Sequence, residues 1–359
     1  MSPGPTTVSI LGTGLIGASL GLAIRRRFPA VEVVGADPNV DHAQTALTRG
    51  AVSRLSSLAG AAAVGDVVVL AAPLDALPHL LATAAEHAQP GALVTDVGSV
   101  KTSIMAAARA LPGVRFIGGH PMAGAAAGGP GQADALLFEN AVYVLTPEDA
   151  DDLAPEALWL VDAVGARAVV MEAERHDRAV AAVSHLPQLL AVALVESAAE
   201  AGDDALALAA GGFRDMTRIA GSPFSTWGPI LRDNRDAVLR ALDGFRRQLD
   251  AVRNAVAETP DALATAFEHA GQTRAALPSA SKGSLTPLAD IVVWADDRPG
   301  FLHGLTGAVA EAGLNLRDAE LLRIRSGEVG TFRFGFETAG DADAALQALN
   351  AAGYRAERR

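Results

Sequence analysis

With 359 residues the chain exceeds the roughly 250–300 at which one hydrophobic core stops growing, so two or three domains are expected. Half of the residues are hydrophobic, and a formal net charge of −12 with scattered arginines excludes the basic footprint of a nucleic-acid binder. The absence of cysteine excludes disulfides, thiolate metal sites and thiol nucleophiles, and the N-terminus has neither a basic leader nor a long apolar run. The expectation is a cytoplasmic protein without a targeting or membrane segment and without a metal.

From Thr7 to about Val170 short β-branched runs alternate with alanine-rich helical stretches. The runs are Val8–Leu11, Val31–Ala36, Val67–Ala71, Leu93–Asp96, Val142–Leu145 and Ala168–Val170, and they predict a doubly wound, Rossmann-type α/β domain with a parallel sheet over residues 1–170. The first run delivers the chain into Gly12, Gly14 and Gly17, spaced G-x-G-x-x-G, followed by a helical stretch through Ile24. Gly12 permits a tight turn, Gly14 lets backbone approach a pyrophosphate and Gly17 lets helix pack on strand. The helix start, with Thr13, Leu15 and Ile16, offers unpaired N–H groups. Asp37 ends the second run about 20 residues beyond Gly17, the usual distance to the acid that binds the ribose hydroxyls. Ala71 and Pro73, where the third run ends, join this nucleotide crevice. A carboxylate accepts from a 2′-hydroxyl and repels a 2′-phosphate, so the cofactor read is NAD. Arg25–Arg27 remain open as either a phosphate-binding cluster or a solvated helix end.

Two segments at strand ends carry the chemistry, D-V-G-S-V-K (Asp96–Lys101) and G-G-H-P-M-A-G (Gly118–Gly124). Loops at the carboxyl ends of parallel strands surround the ligand crevice, which places Ser99 and His120 to face a nicotinamide. Only two of the 29 basic residues are lysines, Lys101 and Lys282, which marks Lys101 for a role as a compact, titratable cation. From Met171 to about Leu277 strand signals vanish. Val238, Leu242, Phe245, Leu249, Val252 and Val256 recur at steps of four and three, a helical seam that packs either within one subunit or across a homodimer interface. An all-helical domain is therefore expected over 171–283, closing with the linker Pro278–Ser284. Residues 284–359 read as strand Asp290–Ala295, turn Asp296–Gly300, helix Phe301–Ala312, strands Leu316–Arg325 and Thr331–Glu337, helix Asp341–Ala352 and strand Tyr354–Glu357. That order is ferredoxin-like.

The motifs D-V-G-S-V-K, G-G-H-P-M-A-G, S-H-L-P-Q (Ser184–Gln188) and G-F-R-D-M-T-R-I-A (Gly212–Ala220) follow one another as in the prephenate/arogenate dehydrogenase family, which the chain resembles from Val8 to about Thr259. The last unit, with D-D-R-P-G-F-L-H-G-L (Asp296–Leu305) and E-A-G-L-N-L (Glu311–Leu316), resembles an ACT domain. The resemblance implies NAD-dependent oxidative decarboxylation of prephenate to 4-hydroxyphenylpyruvate, a step of tyrosine biosynthesis, in a homodimer. It implies His120 as the base that takes the ring hydroxyl proton, with Ser99 sharing the hydrogen bond, and Arg214 as the fork for a substrate carboxylate. His185, Gln188 and Lys101 would line the substrate pocket, and Trp227 would reach a neighbouring subunit's site. Competing readings are a core position for His185 and a water-facing helix start for Lys101; Arg218 is a further candidate beside Arg214.

The ACT resemblance implies tyrosine as an effector through Asp296, Arg298, Gly300 and Asn315, where a turn and a helix start offer donors to an amino-acid carboxylate. A purely structural or dimerising module is the alternative. Where many members of the family carry a hydroxyl residue and a glutamate, this chain has Ala125 and Ala126, which favours the keto acid prephenate over the ammonium of arogenate unless Glu139 or Asp215 supplies a carboxylate. Gln188 stands where some relatives have a second histidine. The alternatives to a prephenate enzyme are an arogenate (cyclohexadienyl) dehydrogenase, a β-hydroxyacid dehydrogenase and a non-catalytic NAD-linked amino-acid sensor. The lengths before Val8 and up to Arg359 leave no room for a fused chorismate mutase.

Overall fold

A computed structural model of the chain describes residues 4–124, 128–149, 152–276, 288–295, 298–325 and 328–358. Ala125, Ala126, Asp296 and the linker expected at Pro278–Ser284 lie outside these residues. Contacts divide the chain into two units, Met1–Asn254 and Ala255–Arg359.

The first unit is built on β1 (Thr7–Leu11), β2 (Glu32–Ala36), β3 (Arg54–Leu55), β4 (Val67–Leu70), β5 (Leu93–Asp96), β6 (Arg115–Pro121), β7 (Val142–Thr146) and β8 (Arg167–Val170). Their order across the sheet is β3-β2-β1-β4-β5-β6-β7-β8. Helices α1 (Leu15–Arg27), α2 (Val40–Thr48), α3 (Leu58–Ala62), α4 (Leu77–His87), α5 (Thr102–Arg109) and α6 (Pro155–Ala163) connect the strands. The central strands are buried on both faces, which is why Val67–Leu70 reads as an unbroken apolar run. Successive residues serve opposite layers: Val8, Ile10, Val67 and Val69 pack in one core cluster, and Leu11, Val68, Leu70 and Val94 in the other.

One expectation needs correction. The sheet is not wholly parallel, because β7 runs antiparallel to β6, with His120 opposite Val144. A parallel pair needs a crossover of a dozen or more residues, usually helical. Between β6 and β7 the described residues hold only a short 3-10 turn, Pro130–Gln132, so the chain doubles back.

After β8 the chain is helical: α7 (Ala173–Val180), a π turn at Ala181–His185, α8 (Leu186–Glu200), α9 (Asp203–Ala207), α10 (Gly211–Thr217), α11 (Phe224–Asp233), α12 (Arg235–Glu258) and α13 (Ala264–Ala276). The seam on α12 splits in two. Val238 is buried and Leu242 packs beside it, whereas Leu249, Val252 and Val256 are exposed. A second difference concerns membranes: the continuous run Ala173–Glu200 holds an 18-residue window with a mean hydropathy of 1.6, long and apolar enough to cross one by length and composition. Along it Val183 and Val192 are exposed while His176, Asp177 and His185 are buried.

The second unit carries the expected β-α-β-β-α-β order as β9 (Ala289–Ala295), α14 (Phe301–Glu311), β10 (Asp318–Arg325), β11 (Glu328–Phe336), α15 (Ala339–Ala351) and β12 (Ala356–Arg358). The strands form an antiparallel sheet in the order β10-β11-β9-β12. Ile291, Val293, Leu305, Phe334, Phe336 and Leu349 form its core beneath the two helices.

Candidate active site

β1 hands the chain to Gly12, whose backbone lies at φ +104° and where a Cβ would stand 2.3 Å from the Ala71 carbonyl oxygen. A Cβ on Gly17 would stand 2.0 Å from the carbonyl oxygen of Gly12. Gly14 differs, since nothing lies within 4 Å of where its Cβ would be, and the backbone there is open to a ligand. It begins α1, whose first turn has neither a side-chain cap nor an acidic residue, so the N–H groups around Leu15 and Ile16 remain for an anion. Ala71 and Pro73 follow β4 beside this turn, the Ala71 N–H donating to Leu11 O at 2.7 Å.

Asp37 follows β2 with its carboxylate already held. Oδ2 accepts from the Thr13 N–H at 2.7 Å and the Thr13 hydroxyl at 3.2 Å, and Oδ1 accepts from the Asn39 N–H at 2.8 Å. A carboxylate offers about four acceptor positions, so one is left on Oδ1 for a ribose hydroxyl. Arg25 and Arg27 lie at the other end of α1, about 15–18 Å from its start at 1.5 Å per residue. Arg25 donates to the carbonyls of Gly50 and Val52, and Arg27 to Glu139 and the Asp162 carbonyl. They are staples of the fold and leave the crevice suited to a dinucleotide without a 2′-phosphate.

The catalytic segments meet on Asp96. This carboxylate, fully buried at the end of β5, accepts from the Gly98 N–H at 2.7 Å and from the Gly119 N–H at 3.0 Å. Ser99 and His120 each follow one of these glycines by one residue, so a single side chain holds the two loops that carry them. The glycines are required: a Cβ on Gly119 would stand 2.4 Å from Asp96 O, and one on Gly118 2.4 Å from Thr146 Oγ1. Lys101, also fully buried, forms an ion pair with Asp96 and donates to Gly119 O at 2.8 Å. Burial lowers its pKa, a shift that the charges of Asp96 and Asp177 oppose. Lys101 is therefore not a water-facing helix start, its buried ammonium being engaged by Asp96 and the Gly119 carbonyl.

His120 Nδ1 is hydrogen-bonded to His176 Nε2 at 2.8 Å, and His176 Nδ1 to Asp177 Oδ1 at 2.8 Å. Asp177 also accepts from the N–H groups of Lys101 and Thr102, each at 2.8 Å, which caps the start of α5. Burial raises the Asp177 pKa, but the hydrogen bonds from His176, Thr102 and the backbone outweigh it and keep the carboxyl below its usual range. Burial, with the nearby charges of His176, Lys101 and His185, holds His120 well below the ordinary imidazole value of 6.5, against the opposing pull of Asp177. At neutral pH His120 is an uncharged base.

Other expected residues lie apart from this cluster. His185 is buried in the π turn, its Nδ1 3.3 Å from Asn234 Nδ2, and burial takes its pKa down to about 4. The core reading of this histidine holds within one chain. Trp227 packs edge-on against that ring within the same chain, with centroids 5.8 Å apart. Gln188 is buried and donates to Ile219 O at 3.0 Å, tying α8 to the turn after α10. Arg214 and Arg218 are exposed, and among the described residues no ion pair engages either. In the second unit Arg298 lies over the Phe301 ring at 5.4 Å and Gly300, at φ +80°, begins α14. Asn315 lies beyond the other end of that 11-residue helix, so one copy of this unit does not bring Asn315 to Arg298.

Comparison with known proteins decides what this geometry belongs to. The family model described as prephenate dehydrogenase, nucleotide-binding domain, matches residues 20–170, and prephenate dehydrogenase, dimerization domain, matches 172–268. A prephenate dehydrogenase of Bacillus subtilis is 33% identical over 358 residues, covering 96% of both chains. The chain belongs to the prephenate dehydrogenase family. An ACT domain is matched at 289–353. Among solved structures of relatives, a prephenate dehydrogenase from A. aeolicus in complex with hydroxyphenyl propionate and NAD+ superposes with a TM-score of 0.71. It is 29% identical and covers 76% of this chain and 99% of its own. Synechocystis arogenate dehydrogenase gives a TM-score of 0.66 at 32% identity, covering 75% of this chain and 98% of its own.

Sequence reasoning missed His176, Asp177 and Asn234, and it quoted Asp96 within a motif without a role. The H-D pair at 176–177 sits in the charged run E-A-E-R-H-D-R, which reads as a solvated helix face. The available signal was positional: α7 follows the last strand of the sheet, and a helix there must bury one face.

Proposed function

We propose that the chain is an NAD-dependent prephenate dehydrogenase that converts prephenate to 4-hydroxyphenylpyruvate and CO2, a step of tyrosine biosynthesis. The observation that carries this reading is the coincidence, at the carboxyl ends of one sheet, of an NAD-type crevice with an uncharged His120 whose Nδ1 is occupied by His176. That leaves Nε2 as the basic nitrogen. The first turn of α1 would hold the pyrophosphate and Asp37 a ribose of NAD, which when bound supplies the hydride acceptor. Prephenate gives up hydride from ring carbon 4, and His120 Nε2 takes the proton of the hydroxyl on that carbon. Loss of CO2 from carbon 1 sends the bonding pair through the ring to that oxygen, which recovers the proton from His120, so no net proton is consumed. Ser99, which follows the Asp96-bound Gly98, is proposed to share the hydroxyl hydrogen bond. A bidentate guanidinium suits a carboxylate, the role proposed for the exposed Arg214.

The test is direct. Purified protein with prephenate and NAD generates NADH, and His120→Asn lowers kcat by about 10²–10⁴-fold while NAD affinity is unchanged; unaltered turnover would refute the assignment. Prephenate is proposed over arogenate because Ala125 and Ala126 stand where many relatives carry a hydroxyl residue and a glutamate, and the alternative carboxylate Glu139 is engaged by Arg27. A side-by-side measurement of kcat/KM on both substrates decides between them.

We further propose a homodimer, supported by the match to a dimerization domain and by the exposed Val183, Val192, Leu249 and Val252. Light scattering should give twice the chain mass, and Val252→Glu should shift it toward the monomer. Tyrosine is proposed as the effector of the ACT domain through the Arg298–Gly300 turn, supported by the domain match. Removing the chain after Ser284 should relieve inhibition and spare catalysis; retained inhibition would place tyrosine in the active site.

A further inference from the structure

The two glycine-anchored loops account for where His120 sits, but not for which of its nitrogens carries hydrogen. That question is settled from α7. We propose that His176 and Asp177 are positioning residues that select the reactive tautomer of His120 and hold its ring, and this rests on reading His120 as the base.

The relay starts at Asp177. Its carboxylate is buried and receives the N–H groups of Lys101 and Thr102 together with His176 Nδ1. An ionised carboxylate only accepts hydrogen bonds, so His176 carries its hydrogen on Nδ1. In the proposed relay His176 Nε2 presents a lone pair. It can only accept, at 2.8 Å, from His120 Nδ1–H. His120 Nε2 is then the nitrogen with the free pair. The rings meet edge-on, with centroids 5.0 Å apart and planes at 75°, so the hydrogen bond also fixes the rotation of the His120 ring. When Nε2 takes a proton, the Nδ1–H bond to His176 persists and the new positive charge lies two hydrogen bonds from Asp177.

The other groups acting on His120 do not perform this selection. Lys101, from the turn before α5, reaches it through charge, with its ammonium committed to Asp96 and Gly119 O. His185, from the π turn, also acts through charge, its Nδ1 beside Asn234. Asn234 secures α7 from the far side by donating to the Asp177 backbone carbonyl at 2.8 Å. Only His176 bonds the His120 ring among the described residues.

Two substitutions of His176 separate positioning from packing. An asparagine amide reaches the place of Nδ1 and a glutamine amide that of Nε2. His176→Asn therefore keeps the donor to Asp177 and removes the acceptor for His120, while His176→Gln restores an acceptor oxygen toward His120. In the full-length protein His176→Asn should lower kcat by about 10²-fold, with KM for prephenate and Kd for NAD changed less than about 3-fold. His176→Gln should recover kcat to within about 10-fold of the parent. The double variant His120→Asn/His176→Asn should be no slower than His120→Asn alone, since residues acting as one unit are not additive. Equal kcat values for the parent and His176→Asn would overturn the proposal, as would a further loss in the double variant. If His120→Asn itself turns over normally, the assignment of the base fails first. Should His176→Asn not fold, as read by NAD binding and thermal melting, the parent still decides. Nitrogen-15 NMR of labelled histidine should find His120 protonated on Nδ1, and Nε2 protonation in the neutral ring would overturn the relay.

Discussion

The nucleotide crevice and the catalytic cluster lie at the carboxyl ends of strands in one sheet, yet they are made of different material. The crevice is backbone: a glycine at positive φ, an uncapped helix start and one carboxylate. The cluster is side chain: Asp96 and Lys101 bury an ion pair that grips two loops, and Asp177 and His176 reach across from a helix some 75 residues further on. Backbone sites constrain which residues are absent, and that leaves a spaced glycine signature. Side-chain sites assembled by tertiary contact leave no spacing to find.

The largest effect is expected at Lys101. Removing one partner of a buried ion pair leaves an uncompensated charge, so Lys101→Met should cost about 3–5 kcal/mol in denaturant unfolding and disorder both catalytic loops. A loss below about 1 kcal/mol would mean that the backbone alone holds them. The next effect is a pH dependence. Burial depresses the His185 pKa to about 4 from an unfolded value of 6.5. Between these values the unfolded chain binds more protons, so stability falls as pH drops from 6.5 towards 4. His185→Gln should flatten that slope, by about 2 kcal/mol between the two ends; an unchanged slope would assign the acid sensitivity to other groups. The smallest change sharpens the contrast. Gly14→Ala meets open space and should leave the melting temperature nearly intact, yet it should weaken NAD by about tenfold because its methyl occupies the pyrophosphate approach. Equal NAD affinity would show that the ligand passes elsewhere.

How much was legible follows the same division. Gly12, Gly14, Gly17 and Asp37 could be read because turn chemistry and strand periodicity are local, and the ferredoxin-like order of the last unit followed from alternation alone. The antiparallel return of β7 was not legible, since its cause is a missing crossover helix in a segment that reads as an ordinary loop. Lys101 was singled out by its rarity, but its burial depends on Asp96 and Gly119, which only the folded sheet brings together. His176 was hidden because a buried polar pair and a solvated one have the same sequence. The seam on α12 was correctly periodic, while periodicity cannot say that its last three apolar residues would stand uncovered in a single chain.

Asp37 carries one more consequence. Its carboxylate is tethered by residues of the fold itself, Thr13 and Asn39. Immobilising a free side chain on binding typically costs about 0.5–1.5 kcal/mol. Here that ordering entropy is surrendered during folding, so discrimination between the two nicotinamide dinucleotides is built into the fold.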